Sequence, residues 1–150
     1  MTTGAQGIAL IKKWEGLRTT AYQDVGGLWT IGYGHLITSA SSTLIGQTIT
    51  EAQAEALLRA DLATAEAGVN SKVLVPLSQE QFDALVSLVF NIGVGAFGAS
   101  TLLQRINAKA PESEIEAQWK RWNKVNGNPV QGLTNRRAAE WELYSQKKKT

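Results

Sequence analysis

The chain has no cysteine and a single histidine in 150 residues. Without cysteine there is no disulfide framework, no cysteine–zinc cluster and no thiol nucleophile. One histidine argues against a multi-histidine metal site. No stretch approaches the roughly 20 apolar residues needed to span a bilayer. The only apolar run near the N-terminus, Ile8 to Ile11, is short and precedes Lys12 and Lys13. That is not the layout of a signal peptide. As given, the sequence predicts no integral membrane segment and no export signal: a protein that works in the cytosol, leaves it by another route, or has lost a leader.

The composition that remains is 43% hydrophobic and 19% charged, which is that of a soluble globular protein. A chain of this length buries about 68–70% of its unfolded surface, enough to hold a core without cross-links. The formal net charge is +2, and Lys147, Lys148 and Lys149 cluster at the end. A solvated tail is the plain reading of these lysines, and weak attraction to a polyanion the sharper one.

Patterning along the chain predicts an α+β protein. Ile8, Ile11 and Trp14 recur at helical spacing over 7–15. Residues 19–37 mix Val25, Trp29, Thr30, Ile31 and Tyr33 with Gly26, Gly27, Gly32 and Gly34, the signature of a small antiparallel sheet with tight turns. Thr50-Glu51-Ala52-Gln53 and Ser78-Gln79-Glu80-Gln81 read as capping boxes, the second flanked by Leu77 and Phe82 as a hydrophobic staple. Ser113-Glu114-Ile115-Glu116 reads as a third. The helix after Ser78 carries Phe82, Leu85, Val86, Val89 and Phe90 and is expected to be buried. Gly93, Gly95 and Gly98 are expected to break the chain after it. Further helices are predicted over 100–108 and 134–146, with Trp141 and Tyr144 facing inward and a loop from Asn126 to Gly132. Trp119 and Trp122 are expected in the core, whereas Trp29 is expected to be more open. The expected organisation is a small lobe of about 12–60, a long helix of about 51–70 leaving it, and a helical lobe of about 70–150. A cleft between such lobes suits a polymer substrate.

The chemistry is carried by one block: Trp14-Glu15-Gly16-Leu17-Arg18, Ala21-Tyr22-Gln23-Asp24 and Trp29-Thr30-Ile31-Gly32-Tyr33-Gly34-His35. Glycosidic cleavage needs a protonated carboxyl to serve the leaving oxygen and an ionised one to stabilise the sugar cation or activate water. Glu15, beside apolar Trp14 and Leu17, suits the first role. Asp24, in a polar glycine-rich turn, suits the second, and Thr30 would hold the attacking water. Taken alone, a glutamate and an aspartate at this spacing are far more often a surface helix residue and a turn former than a catalytic pair.

The spacing Glu-x8-Asp-x5-Thr, ending in Trp-Thr-Ile-Gly-Tyr-Gly-His, resembles the signature of phage-type lysozymes, glycoside hydrolase family 24. Phe82 to Gly98 resembles that family's buried helix and following turn, Ser100-Thr101-Leu102-Leu103 its next segment, and Gly132-Leu133-Thr134-Asn135-Arg136-Arg137 with Glu140 its C-terminal motif. The matching segments follow the family's order over most of the chain. The resemblance implies one lysozyme-like catalytic domain over 1–150, with a small sheet-bearing N-terminal lobe, a long connecting helix and a larger helical C-terminal lobe. It implies an endolysin that hydrolyses the β-1,4 bond between N-acetylmuramic acid and N-acetylglucosamine, with Glu15 as acid and Asp24 and Thr30 serving the water. No metal or organic cofactor is implied.

The same resemblance puts Arg136 near the acid, with Arg137 as the competing candidate. It predicts a His35–Asp61 ion pair linking sheet to helix, His35 as a general base being the lesser alternative. Leu36, Phe90, Asn91 and Ser100 fall at positions near the family's saccharide cleft, with core packing an equal reading for Phe90. Many family members carry cysteines or an N-terminal membrane anchor. Since this chain has neither, the expectation is a folded monomer waiting in the host cytoplasm for holin-dependent release to the periplasmic wall. Its partner is then the glycan strand, with no nucleic acid involved. Three other readings stand against this one. A lytic transglycosylase uses one glutamate, which Asp24 and Thr30 argue against. A binding module without catalysis is opposed by the intact trio. A nucleic-acid binder is opposed by the lack of a recognisable motif or long basic stripe.

Overall fold

The computed structural model describes residues 1–24, 26–38 and 43–146, so Val25 and Lys147, Lys148 and Lys149 lie outside the described residues. Helix α1 spans Ala5–Glu15, followed by strands β1 (Arg18–Gln23), β2 (Trp29–Gly32) and β3 (His35–Leu36). Helices α2 (Glu51–Lys72), α3 (Gln79–Ile92), α4 (Val94–Gly98), α5 (Thr101–Asn107) and α6 (Glu112–Lys120) come next. A hairpin of β4 (Lys124–Val125) and β5 (Asn128–Pro129) precedes the last helix, α7 (Gln131–Tyr144). Residues 11–63 form one compact unit, and residues 1–10 with those from Thr64 onward form another.

In the 11–63 unit the three strands lie antiparallel in the order β1-β2-β3. The β1–β2 register shifts between Arg18 and Tyr22, an irregularity that ends with Tyr22 opposite Thr30. Helix α2 starts at the predicted capping box. The Gln53 amide donates to Thr50 Oγ1 at 3.1 Å, and the Thr50 amide to Gln53 Oε1 at 2.8 Å. Its buried stripe runs Ala54, Leu58 and Leu62, then Ala65 and Val69 in the other unit, one residue per turn down a single face.

The other unit is built around α3, which packs chiefly on α7. The Ser78 capping box is present in full, and Phe82 through Val89 are all buried. Trp119, Trp141 and Tyr144 form an aromatic cluster with ring centroids 5.0–5.8 Å apart. Side chains tie down the first turn of α1. The Thr3 amide and hydroxyl both donate to Glu66 Oε2, at 2.7 and 2.6 Å. The amides of Gly4 and Gly7 donate to the two oxygens of buried Asp83, at 2.9 and 3.1 Å. A carboxylate against the free amides of a helix N-terminus satisfies donors that have no partner in the helix and also meets the positive end of its dipole.

Several sequence expectations give way here. The third capping box does not form: α6 begins at Glu112 after Pro111, and no side chain caps it. Pro111 is the N-cap, its ring holding φ at −54° with an extended ψ of 146°, and Glu112 and Glu114 then place negative charge in the first turn. Only Gly93, with φ +96°, breaks the chain after α3, whereas Gly95 and Gly98 lie within α4. The expected loop from Asn126 to Gly132 is instead the β4–β5 hairpin and the start of α7. Asn126 and Gly127, with φ 51° and 82°, form its turn. Asn-Gly is the strongest local hairpin signal, because both residues accept positive φ. Trp122 is half-buried, whereas Trp119 is fully enclosed.

Candidate active site

Glu15 is the last residue of α1 and is half-buried. Gly16 follows with φ +73° and returns its amide to Lys12 O at 3.0 Å, closing the helix as a left-handed glycine does. The turn between β2 and β3 passes directly against the Glu15 carboxyl: a Cβ on Gly34 would lie 2.9 Å from Glu15 Oε1. Gly34 also has φ +76°, a backbone conformation that favours glycine.

Asp24 sits at the mouth of the β1–β2 hairpin. Its Oδ1 accepts from the amides of Gly26 and Leu28, each at 2.9 Å. Its backbone closes the same turn, Asp24 N donating to Leu28 O at 2.8 Å and Gly27 N to Asp24 O at 2.9 Å. Hydrogen bonds from amides to a carboxylate are charge-assisted, and two on one oxygen fix its direction. Thr30 is buried on the central strand, between Tyr22 on β1 and Leu36 on β3. Its hydroxyl is 3.4 Å from Tyr22 O, a long and weak bond that leaves the group able to turn to another partner. Glu15, Asp24 and Thr30 thus all belong to the 11–63 unit.

A network not foreseen from the sequence holds this end of α1. Lys12 Nζ donates to Glu51 Oε1 at 2.7 Å and also to Glu55, and it lies 5.4 Å from the Tyr33 ring centroid. Tyr33 Oη donates to the same Glu51 oxygen at 2.9 Å. The Lys12 hydrogen bonds hold the Glu51 and Glu55 carboxyls below their ordinary range, helped by Tyr33 at Glu51 and Arg59 at Glu55. The same bonds raise the Lys12 ammonium. Burial, then the bond to Glu51, raises the Tyr33 hydroxyl. The ordinary i, i+3 spacing of Lys12 and Glu15 gave no sign of it. Among the described residues no cluster of three or more His, Cys, Asp or Glu is arranged to hold a metal ion. No helix among them is long and apolar enough to cross a membrane.

Residues 12–140 match the phage lysozyme family model. The chain belongs to the phage lysozyme family. It is 47% identical to an endolysin of Acyrthosiphon pisum secondary endosymbiont phage 1, over 96% of this chain and 98% of that one. Among solved structures, a P22 lysozyme mutant matches with TM-score 0.88 at 37% identity, covering 97% of this chain and 99% of that one. The muramidase domain of SpmX from Asticaccaulis excentricus matches with TM-score 0.86 at 41% identity, again covering 97% and 99%. The fold is lysozyme-like, and the activity is that of a lysozyme, a glycoside hydrolase.

The remaining predicted residues of this lysozyme are distributed as follows. His35 Nδ1 meets both Asp61 oxygens, at 2.8 and 3.1 Å, joining β3 to α2. Leu36 and Asn91 are exposed and Phe90 is half-buried. Ser100 is buried and caps α5: its hydroxyl donates to Phe97 O at 2.6 Å and accepts from Leu103 N at 3.1 Å. Arg137 is spent inside the 64–150 portion. Its Nη1 donates to Trp122 O at 3.2 Å and its Nη2 to Glu140 Oε2 at 3.0 Å, and its Nε lies 2.7 Å from Glu140 Oε1 without the alignment of a hydrogen bond. Its guanidinium is lowered from its ordinary range by burial, against the pull of Glu140. Arg136 Nε donates to Glu140 Oε2 at 3.3 Å and its Nη2 to Ser87 O at 3.3 Å. Ser87 and Trp119 also donate to Glu140, at 2.6 and 3.2 Å. Glu140, which the sequence marks only as part of the C-terminal motif, is thus the polar centre of α3, α6 and α7.

Proposed function

We propose that the chain is an endolysin that hydrolyses the β-1,4 bond between N-acetylmuramic acid and N-acetylglucosamine in peptidoglycan, with Glu15 as general acid and Asp24 and Thr30 serving the water. The observation that carries the assignment is the contrast between the two carboxyl groups. One is lodged against the Gly34 backbone at a helix end. The other is directed by two amides at the mouth of a hairpin next to Thr30.

Glu15 gives its proton to the glycosidic oxygen as the bond from that oxygen to C1 breaks, and the departing sugar leaves as an alcohol. The ionised Asp24 stabilises the cationic character at C1 and accepts a proton from the water that adds there, while Thr30 Oγ1 orients that water. A final proton transfer through solvent restores both carboxyls. His35 and Asp61 act in this scheme by bracing β3 against α2. Arg136 is the better candidate for the cation near the acid, since all three guanidinium nitrogens of Arg137 face Glu140 or Trp122 O. Leu36, Phe90 and Asn91 contribute to saccharide binding, and Ser100 supports them through its cap on α5. The same reading has the enzyme accumulate as a monomer in the host cytoplasm until a holin opens the way to the periplasmic wall.

The test is mass spectrometry of fragments released from purified peptidoglycan. Wild type is expected to give hydrated fragments with reducing ends, and Glu15→Gln none, with its circular dichroism unchanged. Asp24→Asn is expected to lose several orders of magnitude in rate. Anhydro ends would make the enzyme a transglycosylase, and full activity of Glu15→Gln would remove Glu15 from the reaction.

A further inference from the structure

The turn that passes against Glu15 has little stiffness of its own. Ile31 pairs with His35, so Gly32, Tyr33 and Gly34 make up the whole β2–β3 loop. Gly32 and Gly34 both lie at positive φ, +68° and +76°. Glycine suits those angles but resists displacement less than any other residue, so the loop takes its direction from side chains. His35 holds one end through Asp61. Tyr33 holds the middle. Its ring is buried, and its hydroxyl donates to Glu51 Oε1 at 2.9 Å. Lys12 Nζ donates to that same oxygen at 2.7 Å. Gly32 leans on α2 one turn further along, where a Cβ would come to 3.3 Å from Ala54 Cβ. Glu51 and Ala54 share a face of that helix at i, i+3, and Lys12 precedes Glu15 on α1 by the same step. One carboxylate oxygen thus joins the β2–β3 turn, the end of α1 and the start of α2, all within the 11–63 unit. The first two of these flank Glu15.

We propose that Tyr33 is a positioning residue for catalysis: its hydrogen bond to Glu51 fixes the Gly34 backbone, and through it the direction of the Glu15 carboxyl. The inference rests on the proposed role of Glu15 as general acid and adds the device that aims it. Core packing alone would be served by a phenylalanine, which fills the same space without a polar group to satisfy. The hydroxyl adds a fixed direction, because Glu51 is itself held by Lys12 and the bond to a carboxylate is charge-assisted. A general acid needs that direction, since a proton is delivered only along a narrow line to the glycosidic oxygen. Tyr33 reaches neither the glycan nor the water in this scheme. It acts only through Gly34.

The experiment measures kcat and KM on soluble peptidoglycan strands, well below every variant's melting temperature. Tyr33→Phe keeps the ring and removes the bond, and Glu51→Ala removes its acceptor. Each is expected to lower kcat about tenfold with KM unchanged, as misdirection of a catalytic group does. The double variant is expected to lose no more than either single one, because both break the same bond. Glu51→Gln keeps an oxygen for the hydroxyl and is expected to stay within about twofold of wild type. Ser78→Ala, which loses the α3 cap far from this turn, controls for stability alone and is expected to keep wild-type kcat. Wild-type kcat in Tyr33→Phe, or losses that multiply in the double variant, would overturn the positioning role. If Glu15→Gln is inactive in the same assay, the lysozyme reading survives that result. Full turnover by Glu15→Gln would overturn both.

Discussion

Gly34 and the Glu15 carboxyl lie close together: a methyl group on Gly34 would come to 2.9 Å from the Glu15 carboxyl oxygen, so the carboxyl would have to shift. The position is held twice over, by that approach and by a φ of +76°. Gly34→Ala is therefore expected to displace the Glu15 carboxyl and cut kcat at least tenfold. The backbone strain adds about 1–2 kcal/mol of destabilisation. Turnover and urea unfolding measured on the same preparation separate the two effects. Wild-type kcat in a destabilised Gly34→Ala would mean that the carboxyl moves aside without consequence.

Glu140 accepts from Ser87, Trp119, Arg136 and Arg137 while fully buried. Glu140→Gln keeps the shape but leaves buried guanidinium charge uncompensated, with an expected loss of about 3–5 kcal/mol. Ser87→Ala removes a single donor and is expected to cost only about 1 kcal/mol. Denaturant unfolding of the two variants should show that ordering. A smaller loss from Glu140→Gln than from Ser87→Ala would mean that water reaches the arginines.

A Cβ at Gly7 would lie 2.7 Å from both Asp83 Cβ and Thr3 Cγ2. Gly7→Ala would gain helix propensity in isolation but here overpacks the junction, with an expected net loss of about 1–3 kcal/mol. A rise in melting temperature would show that the first turn of α1 can slide without penalty.

Lys12 sets a pH dependence. Its hydrogen bonds hold Glu51 and Glu55 below the ordinary 4.5. A depressed carboxyl contributes stability that is present above its unfolded pKa and lost as pH falls through its folded one. Lys12→Met is expected to melt lower than wild type at pH 7, with the gap closing as pH is brought below about 4.5. Both carboxylates are solvent-accessible, so the gap is modest and shrinks with added salt. Melting curves from pH 7 to pH 3 check this. A gap constant across that range would assign the contribution of Lys12 to its packing on Tyr33.

Local chemistry made some elements legible in the sequence, while others depended on tertiary packing. Thr50 and Ser78 announced α2 and α3 because a capping box is specified within four residues. The Asn126-Gly127 turn is specified just as locally, by a dipeptide that accepts positive φ, and Pro129 sits on the short β5 strand beside it. Ser113 misled because Pro111, two residues earlier, had already fixed where α6 begins. At the site, the motif spacing singled out Glu15, Asp24 and Thr30, and the His35–Asp61 contact followed from the family pattern. Asp83, Tyr33 and the Lys12 network were illegible. Asp83 looks like a polar interruption in an apolar helix until its partners, 76 and 79 positions away, are known. The direction that Asp24 takes from the Gly26 and Leu28 amides is likewise a property of the folded turn.

The tie between Asp83 and the first turn of α1 also bears on the order of events during translation. Gly4 and Gly7 lie 79 and 76 positions ahead of Asp83, and Thr3 lies 63 ahead of Glu66. At about 5–20 residues per second, roughly 3–16 s separates their synthesis. For that interval the helix bearing Glu15 has left the ribosome while the residues that anchor it have not. Its apolar positions Ile8 and Ile11, buried in the finished protein, are then open to water and to other chains. In the nascent chain the amides of Gly4 and Gly7 find their carboxylate only once α3 has been synthesised, so the start of α1 spends that interval without its anchor.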